Sequence, residues 1–192
     1  MDKRDETPEI LTDILYRPIE LTDINGELFR RFSRRQVVND CRRWVDGKWV
    51  VRKDPFIDDW TKEDYEWIID KMHRIIDEGG FLYGAFEGEY LKGFVSVLSE
   101  PLGSRRQYLD LFFLFVSEEQ RGKGVGKRLF AQARKWAREK GAESLYISAH
   151  SAIESQTFYR AMGCVDAEEI SQPHVLHEPL DCQMECRVDD IL

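Results

Sequence analysis

The chain has 192 residues, 42% hydrophobic and 12% aromatic, which suits one folded domain and excludes a disordered chain. A net charge of −8 argues against a nucleic-acid partner held through phosphate contacts. The longest apolar run, residues 111–116, is far too short to span a bilayer, and the charged start at residues 1–6 has no apolar stretch behind it. No membrane partner is therefore expected, and the default location is cytoplasmic.

In chain order, a first strand is expected over residues 14–19 and helical material over 25–43. Residues 44–60 give no clear period, with Gly47 and Pro55 as breaks. Thr61-Lys62-Glu63-Asp64 then reads as a capped helix start, because a Thr hydroxyl and an acid three residues on satisfy free N–H groups. Trp67, Ile68, Met72, Ile75 and Ile76 recur at helical spacing, and Gly79-Gly80 ends the helix. Strands at 81–86, 91–98 and 108–116 follow as an antiparallel meander, the third apolar enough to be covered on both faces.

A helix over 125–140 carries the stripe Val125, Leu129, Ala133, Trp136 and Ala137, and Gly141 stops it. Residues 145–149 read as a strand, and Ser151-Ala152-Ile153-Glu154 as a second capping box opening a helix that ends near Gly163. Closing strands are expected at 164–170 and 181–188. The fold class is α/β (α+β), with a mixed central sheet of about six or seven strands flanked by helices. The cysteines, Cys41, Cys164, Cys182 and Cys186, form no Cys-x-x-Cys pair and read as reduced core fillers; Cys182 and Cys186 would share one strand face.

Charge is uneven. Residues 121–140 hold eight Lys/Arg and one acid; residues 165–192 hold eight Asp/Glu and one base. A basic patch on an acidic protein suits a compact anionic ligand, and the acidic remainder suits a cationic second substrate. The patch opens with Arg121-Gly122-Lys123-Gly124-Val125-Gly126-Lys127, where a buried strand gives way to a glycine loop and a basic helix. Glycines let backbone N–H groups approach an anion, and a helix N-terminus adds about half a positive charge. The plainer alternative is a tight turn with solvated lysines. Two phosphate loops fail the spacing. Arg121 stands where a P-loop needs its first glycine, and Lys127 stands where the dinucleotide pattern needs its last.

Arg121, Gly124 and Gly126 resemble the signature Gln/Arg-x-x-Gly-x-Gly/Ala of GNAT N-acetyltransferases. Leu145-Tyr146-Ile147-Ser148 is similar to that family's next strand, and Phe158-Tyr159-Arg160-Ala161-Met162-Gly163-Cys164 to its Phe-Tyr-x-x-x-Gly-Phe helix end. The resemblance covers about residues 80–188. Residues 148–164 and 178–185 further resemble a bacterial branch of the family. It implies a single GNAT domain over 1–192, with an acetyl-CoA-binding core at 81–192. Residues 1–80 would be an elaboration shaping the acceptor site.

The same resemblance implies that the loop and helix start grip the pyrophosphate of acetyl-CoA, with Arg121, Gly122, Lys123, Gly124, Val125, Gly126 and Lys127 as its residues and Arg128 as a further cation. Phe115 and Val116 match the strand that splays from its neighbour and holds the pantetheine arm, with Phe113 excluding water. Many relatives carry Asn where this chain has Ala152; Ser151 or Ser155 would supply that contact. Tyr159 matches the general acid, a phenol that stays protonated at neutral pH yet can donate to a leaving thiolate. Its alternative role is packing.

For the base, Asp110, Glu100 and the strand-end His150 are candidates; a His there would otherwise cap a helix. His174, His177 and Glu178 hint at a metal, but the order differs from the helical two-His motif, so no metal is expected and a loop near the acceptor mouth is the reading. Trp44, Trp49, Phe56 and Trp60 would be core or a cleft wall for a cationic acceptor.

The implied activity is direct acetyl transfer to the primary amine of a small molecule. The alternatives are a protein lysine or N-terminal acetyltransferase and a non-catalytic acyl-CoA-binding module on the same fold. A homodimer would be usual for the family.

Overall fold

A computed structural model describes residues 13–189; the expectation for residues 1–6 lies outside them. A seven-stranded sheet runs in the order β1 (Ile14–Pro18), β4 (Phe81–Glu87), β5 (Tyr90–Val97), β6 (Tyr108–Val116), β7 (Ser144–Ala149), β9 (Cys182–Arg187) and β8 (Val165–Asp166), and β2 (Gln36–Val45) and β3 (Lys48–Asp58) form a separate pair. β1 (Ile14–Pro18) lies antiparallel against β4 (Phe81–Glu87), so the N-terminal segment is built into the central sheet.

The helix expected over 25–43 is not formed. Turns at residues 26–31 are followed by a long hairpin, β2 (Gln36–Val45) and β3 (Lys48–Asp58). Its loop is Asp46-Gly47, with φ of +49° and +78°. Two left-handed residues give the mirror-image turn whose twist matches paired strands, and Asp-Gly is its sequence mark. The β-branched and aromatic content of 37–51 reinforces it. Those residues lack a clean alternation because the hairpin is largely exposed on both faces. It is anchored where Cys41 pairs with Ala152 and the Arg42 N–H donates to the Ser151 carbonyl at 2.8 Å.

α1 (Lys62–Asp77) begins as its sequence requires: the Asp64 N–H donates to Thr61 Oγ1 at 3.3 Å, and the Thr61 N–H to the Asp64 carboxylate at 2.7 Å. Ile68, Met72 and Ile75 are buried on its inner face. β4, β5 (Tyr90–Val97) and β6 (Tyr108–Val116) form the expected meander. The chain then crosses through α2 (Val125–Glu139) to β7 (Ser144–Ala149), parallel to β6.

After α3 (Ile153–Ala161) the ending departs from expectation. The capping box at 151–154 is absent: Ala152 is the N-cap, and no side chain caps the helix. The strand expected at 164–170 shrinks to β8 (Val165–Asp166), and the expected last loop contains α4 (Gln172–His177). β9 (Cys182–Arg187) inserts between β7 and β8, antiparallel to both.

Two cores sandwich the sheet. α2 buries Leu129, Phe130, Ala133 and Ala137 against Val95, Leu145, Ile147 and Met184. The opposite face gathers Phe29, Phe32, Ile68, Met72, Phe86, Phe94 and Phe113. All four cysteines are buried, with no disulfide among the described residues, and Cys164, Cys182 and Cys186 fill the first core. No helix among the described residues is long and apolar enough to cross a membrane.

Candidate active site

The central opening is a consequence of strand register. β6 pairs with β7 only from Tyr108↔Ser144 to Asp110↔Tyr146, whereas β5 follows β6 as far as Gly93↔Val116. Beyond Asp110 the two parallel strands part. A cleft of about 1060 Å³ opens between them, lined by Phe113, Phe115 and Val116 from β6 and by Ser148 and His150 at the end of β7.

The glycine loop closes one end of this cleft. Gly122 (φ +74°) and Gly124 (φ +83°) adopt left-handed backbone that a side chain would strain, and Gly124 is the N-cap of α2. The first N–H groups of α2 therefore point out of the helix without intrahelical partners, the ordinary condition of a helix start. A Cβ on Gly126 would lie 3.3 Å from Phe158 Cε2, so the glycine keeps α2 and α3 in contact beside the cleft. On the far side, Gly93 lets α2 pack close to β5, since a Cβ there would come within 3.0 Å of Leu129 Cδ1.

The cationic side chains separate into two groups. Arg121 is committed to backbone: Nε donates to the Val116 carbonyl (3.1 Å), Nη1 to that of Arg35 (2.8 Å) and Nη2 to that of Arg34 (2.9 Å). It ties the loop to the segment before β2. Arg128 lies over the Tyr16 ring, away from the cleft. Lys127 lines the cleft, Lys123 is exposed and outside its lining, and the Val125 side chain is buried in the core. Thus Arg121, Gly122, Gly124, Gly126 and Lys127 meet in the cleft, and Val125 has only its main chain to offer.

Tyr159 also lines the cleft, its ring against Phe130 and Phe158. Burial, reinforced by the charge of Asp181, raises its pKa and holds the phenol protonated. Of the two serines, Ser155 lines the cleft and Ser151 is buried outside its lining.

Among the base candidates, Glu100 is exposed, paired with Arg106 at 3.2 Å and outside the cleft. His150 lines the cleft, but its Nδ1 accepts the Ala152 N–H at 3.2 Å and its Nε2 lies 3.9 Å from Asp58. It anchors the start of α3, and burial lowers its pKa. Asp110 is buried at the point where β6 and β7 part, and His174 Nε2 approaches its carboxylate at 2.9 Å. That hydrogen bond raises the pKa of His174, whose Nδ1 is 2.6 Å from Ser171 Oγ. The Ser171 N–H in turn donates to Tyr146 Oη at 2.8 Å. These bonds pin α4 across the open face of the sheet. His177 faces solvent and Glu178 at 3.4 Å; among the described residues no His, Cys, Asp and Glu cluster with metal-ligating geometry is found.

Three cleft residues escape a sequence reading. Arg34 is buried, paired with Asp58 and stacked over Phe115 at 5.1 Å. Trp67, which helical spacing assigns to a core stripe, is half exposed and packs on Phe113 at the cleft wall. Asp181, just before β9, lines the cleft with its pKa pushed up to about 7 by burial and by Glu178. Alternation of strand faces could have flagged Asp181 only if the insertion of β9 beside β7 were known. The aromatic group expected around Trp44 divides: Trp44 and Trp49 pack together on the hairpin, Phe56 meets His150, and Trp60 joins the second core.

A mixed sheet that parts between two parallel strands, above a glycine loop and a helix N-terminus, defines the architecture of the acyl-CoA N-acyltransferases. Residues 39–164 match the acetyltransferase (GNAT) family, and the chain belongs to that family. It is 34% identical over 90 residues to N-acetyltransferase 8B of Rattus norvegicus, a stretch covering 45% of this chain and 40% of the rat protein. Among solved structures, nourseothricin acetyltransferase matches over 91% of this chain and 98% of its own, with TM-score 0.68 and 19% identity. A candidate streptothricin acetyltransferase from Bacillus anthracis str. Ames, in complex with acetyl coenzyme A, matches over 90% and 96%, with TM-score 0.66 and 19% identity. At such identities the likeness is one of fold.

Proposed function

We propose that this protein transfers the acetyl group of acetyl-CoA directly to a primary amine of a small molecule, with Tyr159 as general acid. The observation that carries the reading is the coincidence, in one cleft, of the parted β6–β7 edge, the Gly122–Gly126 loop at the start of α2, and Tyr159. Free N–H groups at the start of α2, with Lys127, suit a pyrophosphate. The edge of β6 at Phe115 and Val116 suits an extended pantetheine arm and a carbonyl polarised by a backbone N–H. The amine attacks the thioester carbonyl, the tetrahedral intermediate collapses, and the departing sulfur takes a proton from Tyr159. Phe113, Phe115 and Trp67 keep that step dry.

Residues N-terminal to the meander supply the acceptor wall through Arg34, Gln36, Val37 and Trp67. A small cationic acceptor is supported by Asp110, Glu154, Glu178 and Asp181 along the cleft, and by the likeness in fold to the nourseothricin and candidate streptothricin acetyltransferases.

Thermal unfolding with acetyl-CoA, CoA, ATP and NAD in parallel tests the cofactor. A ligand at about 100 times its Kd stabilises the native state by ~2.7 kcal/mol. Stabilisation by the two CoA species alone supports the reading; a response only to ATP or NAD refutes it. Turnover of acetyl-CoA with nourseothricin and simple diamines, but not with lysine peptides, separates a small-molecule acceptor from a protein one. CoA binding without turnover on any amine leaves the binding-module reading.

A further inference from the structure

An acceptor amine arrives as an ammonium near neutral pH and must lose a proton before its lone pair can attack. Of the carboxylates and histidines that line the cleft, Glu154, His177 and Glu178 are exposed to solvent, which leaves four that are at least partly buried, Asp110, His150, His174 and Asp181, and three of these are already engaged. Asp110 is held by His174 at 2.9 Å, and His174 has both ring nitrogens occupied, by Asp110 and Ser171. His150 spends its Nδ1 lone pair on the Ala152 N–H. Asp181 differs: its contact is one long hydrogen bond from Ser148 Oγ, at 3.4 Å, and no Lys, Arg or His among the described residues pairs with it within ion-pair distance.

We propose that Asp181 is the general base that deprotonates the acceptor amine, an inference that rests on the N-acetyltransferase reading above. The position is set by topology. β9 enters the sheet beside β7 at Ala149↔Cys182, which places Asp181 at the cleft end of β7, next to Ser148. Tyr159, the proposed acid, is near enough that the charge of Asp181 acts on it. The two carboxyl and phenol groups thus share the cleft, one to receive a proton and one to give it.

The balance is simple. The ammonium N–H bond breaks, its proton passes to an Asp181 carboxylate oxygen, and the freed lone pair forms the C–N bond. The C–S bond breaks, sulfur takes the proton of Tyr159, and the second amine proton returns to the phenolate, directly or through water. The Asp181 proton leaves to solvent when the product departs.

Groups facing Asp181 from each packed element agree with the role. Glu178 and burial favour its neutral form, whereas Ser148 on β7, Arg43 on β2 and His174 on α4 favour the charged one. The result is a carboxyl titrating near neutrality, the range in which a base both stays deprotonated and accepts a proton efficiently.

The test compares two probe acceptors in the full-length protein: 1,5-diaminopentane, an ammonium at pH 7, and an acyl hydrazide, neutral at pH 7. Asp181→Asn should lower kcat/KM for the diamine relative to the hydrazide by ~10²-fold, while CoA still raises Tm as in wild type. An unchanged ratio overturns the proposal. Ser148→Ala offers a second reading. Losing that hydrogen bond should move the acid limb of the kcat/KM profile to higher pH, and an unmoved limb counts against Asp181 as the titrating base. A wild-type protein that acetylates neither probe overturns the N-acetyltransferase reading itself, an outcome distinct from either variant result.

Discussion

At the scale of single residues, motif and environment assign different work to the same side chain. Arg121 occupies the signature position, yet its guanidinium donates to three backbone carbonyls, at the end of β6 and in the segment before β2. In the proposed anion site it would act through the loop shape it enforces. Tyr159 stands in the cleft as its motif implies, and Tyr159→Phe should lower kcat by ~10-fold or more with little change in KM for acetyl-CoA, measured where chemistry limits turnover. His174 was legible only as part of a histidine cluster. Because its bond to Asp110 raises its pKa, it contributes stability that is complete below the unfolded value of 6.5 and is lost as pH rises through the raised folded value. The Tm deficit of His174→Gln should therefore be largest at acidic pH and shrink as pH rises; a pH-independent deficit would show that the ion pair is not its source.

At the scale of elements, legibility followed how local the stabilising interactions are. α1 was readable because a capping box, an apolar stripe and a stop glycine all lie within one segment, and α2 because an apolar stripe ends on a stop glycine. The meander was readable because its strands are consecutive along the chain, and consecutive strands tend to pair. Most of β2 was read as helix and β3 was left without a period, because the hairpin's register is specified by Asp46-Gly47 while its exposed faces carry no clean period. The box at 151–154 failed because β2 claims this segment: Ser151 gives its carbonyl to Arg42, and His150 takes the Ala152 N–H.

Close packing also gives one element control of the site. Gly93→Ala would set a Cβ against Leu129 and Val125 of α2 and the Phe115 carbonyl of β6. It should cost ~1–3 kcal/mol, as overpacking does, and weaken acetyl-CoA binding by displacing the start of α2. Calorimetry of acetyl-CoA binding on the folded variant checks this, and an unchanged Kd would separate packing from binding.

At the scale of the whole molecule, charge is divided along the cleft as the proposed pair of substrates requires. The basic loop and helix face one end of the cleft, and Asp110, Glu154, Glu178 and Asp181 line it elsewhere, on a chain of net charge −8. The KM for a cationic acceptor should rise with ionic strength, because screening shortens the reach of that acidic field; a KM independent of salt between 0.05 and 0.5 M, taken as rough limits of ordinary screening, would mean that contact rather than field selects the acceptor.

The sequence by itself determined the family, the mixed α+β class, the glycine loop at the start of α2 and Tyr159, because each is written in residues close together along the chain. Only the tertiary structure decided how β9 enters between β7 and β8, where β6 and β7 part, and hence which carboxylates share a cleft. Those outcomes depend on contacts between distant segments, such as Asp110 with His174 and Ser148 with Asp181. Spacing carries no record of such contacts, because the free energy that selects them comes from packing and desolvation across the folded sheet.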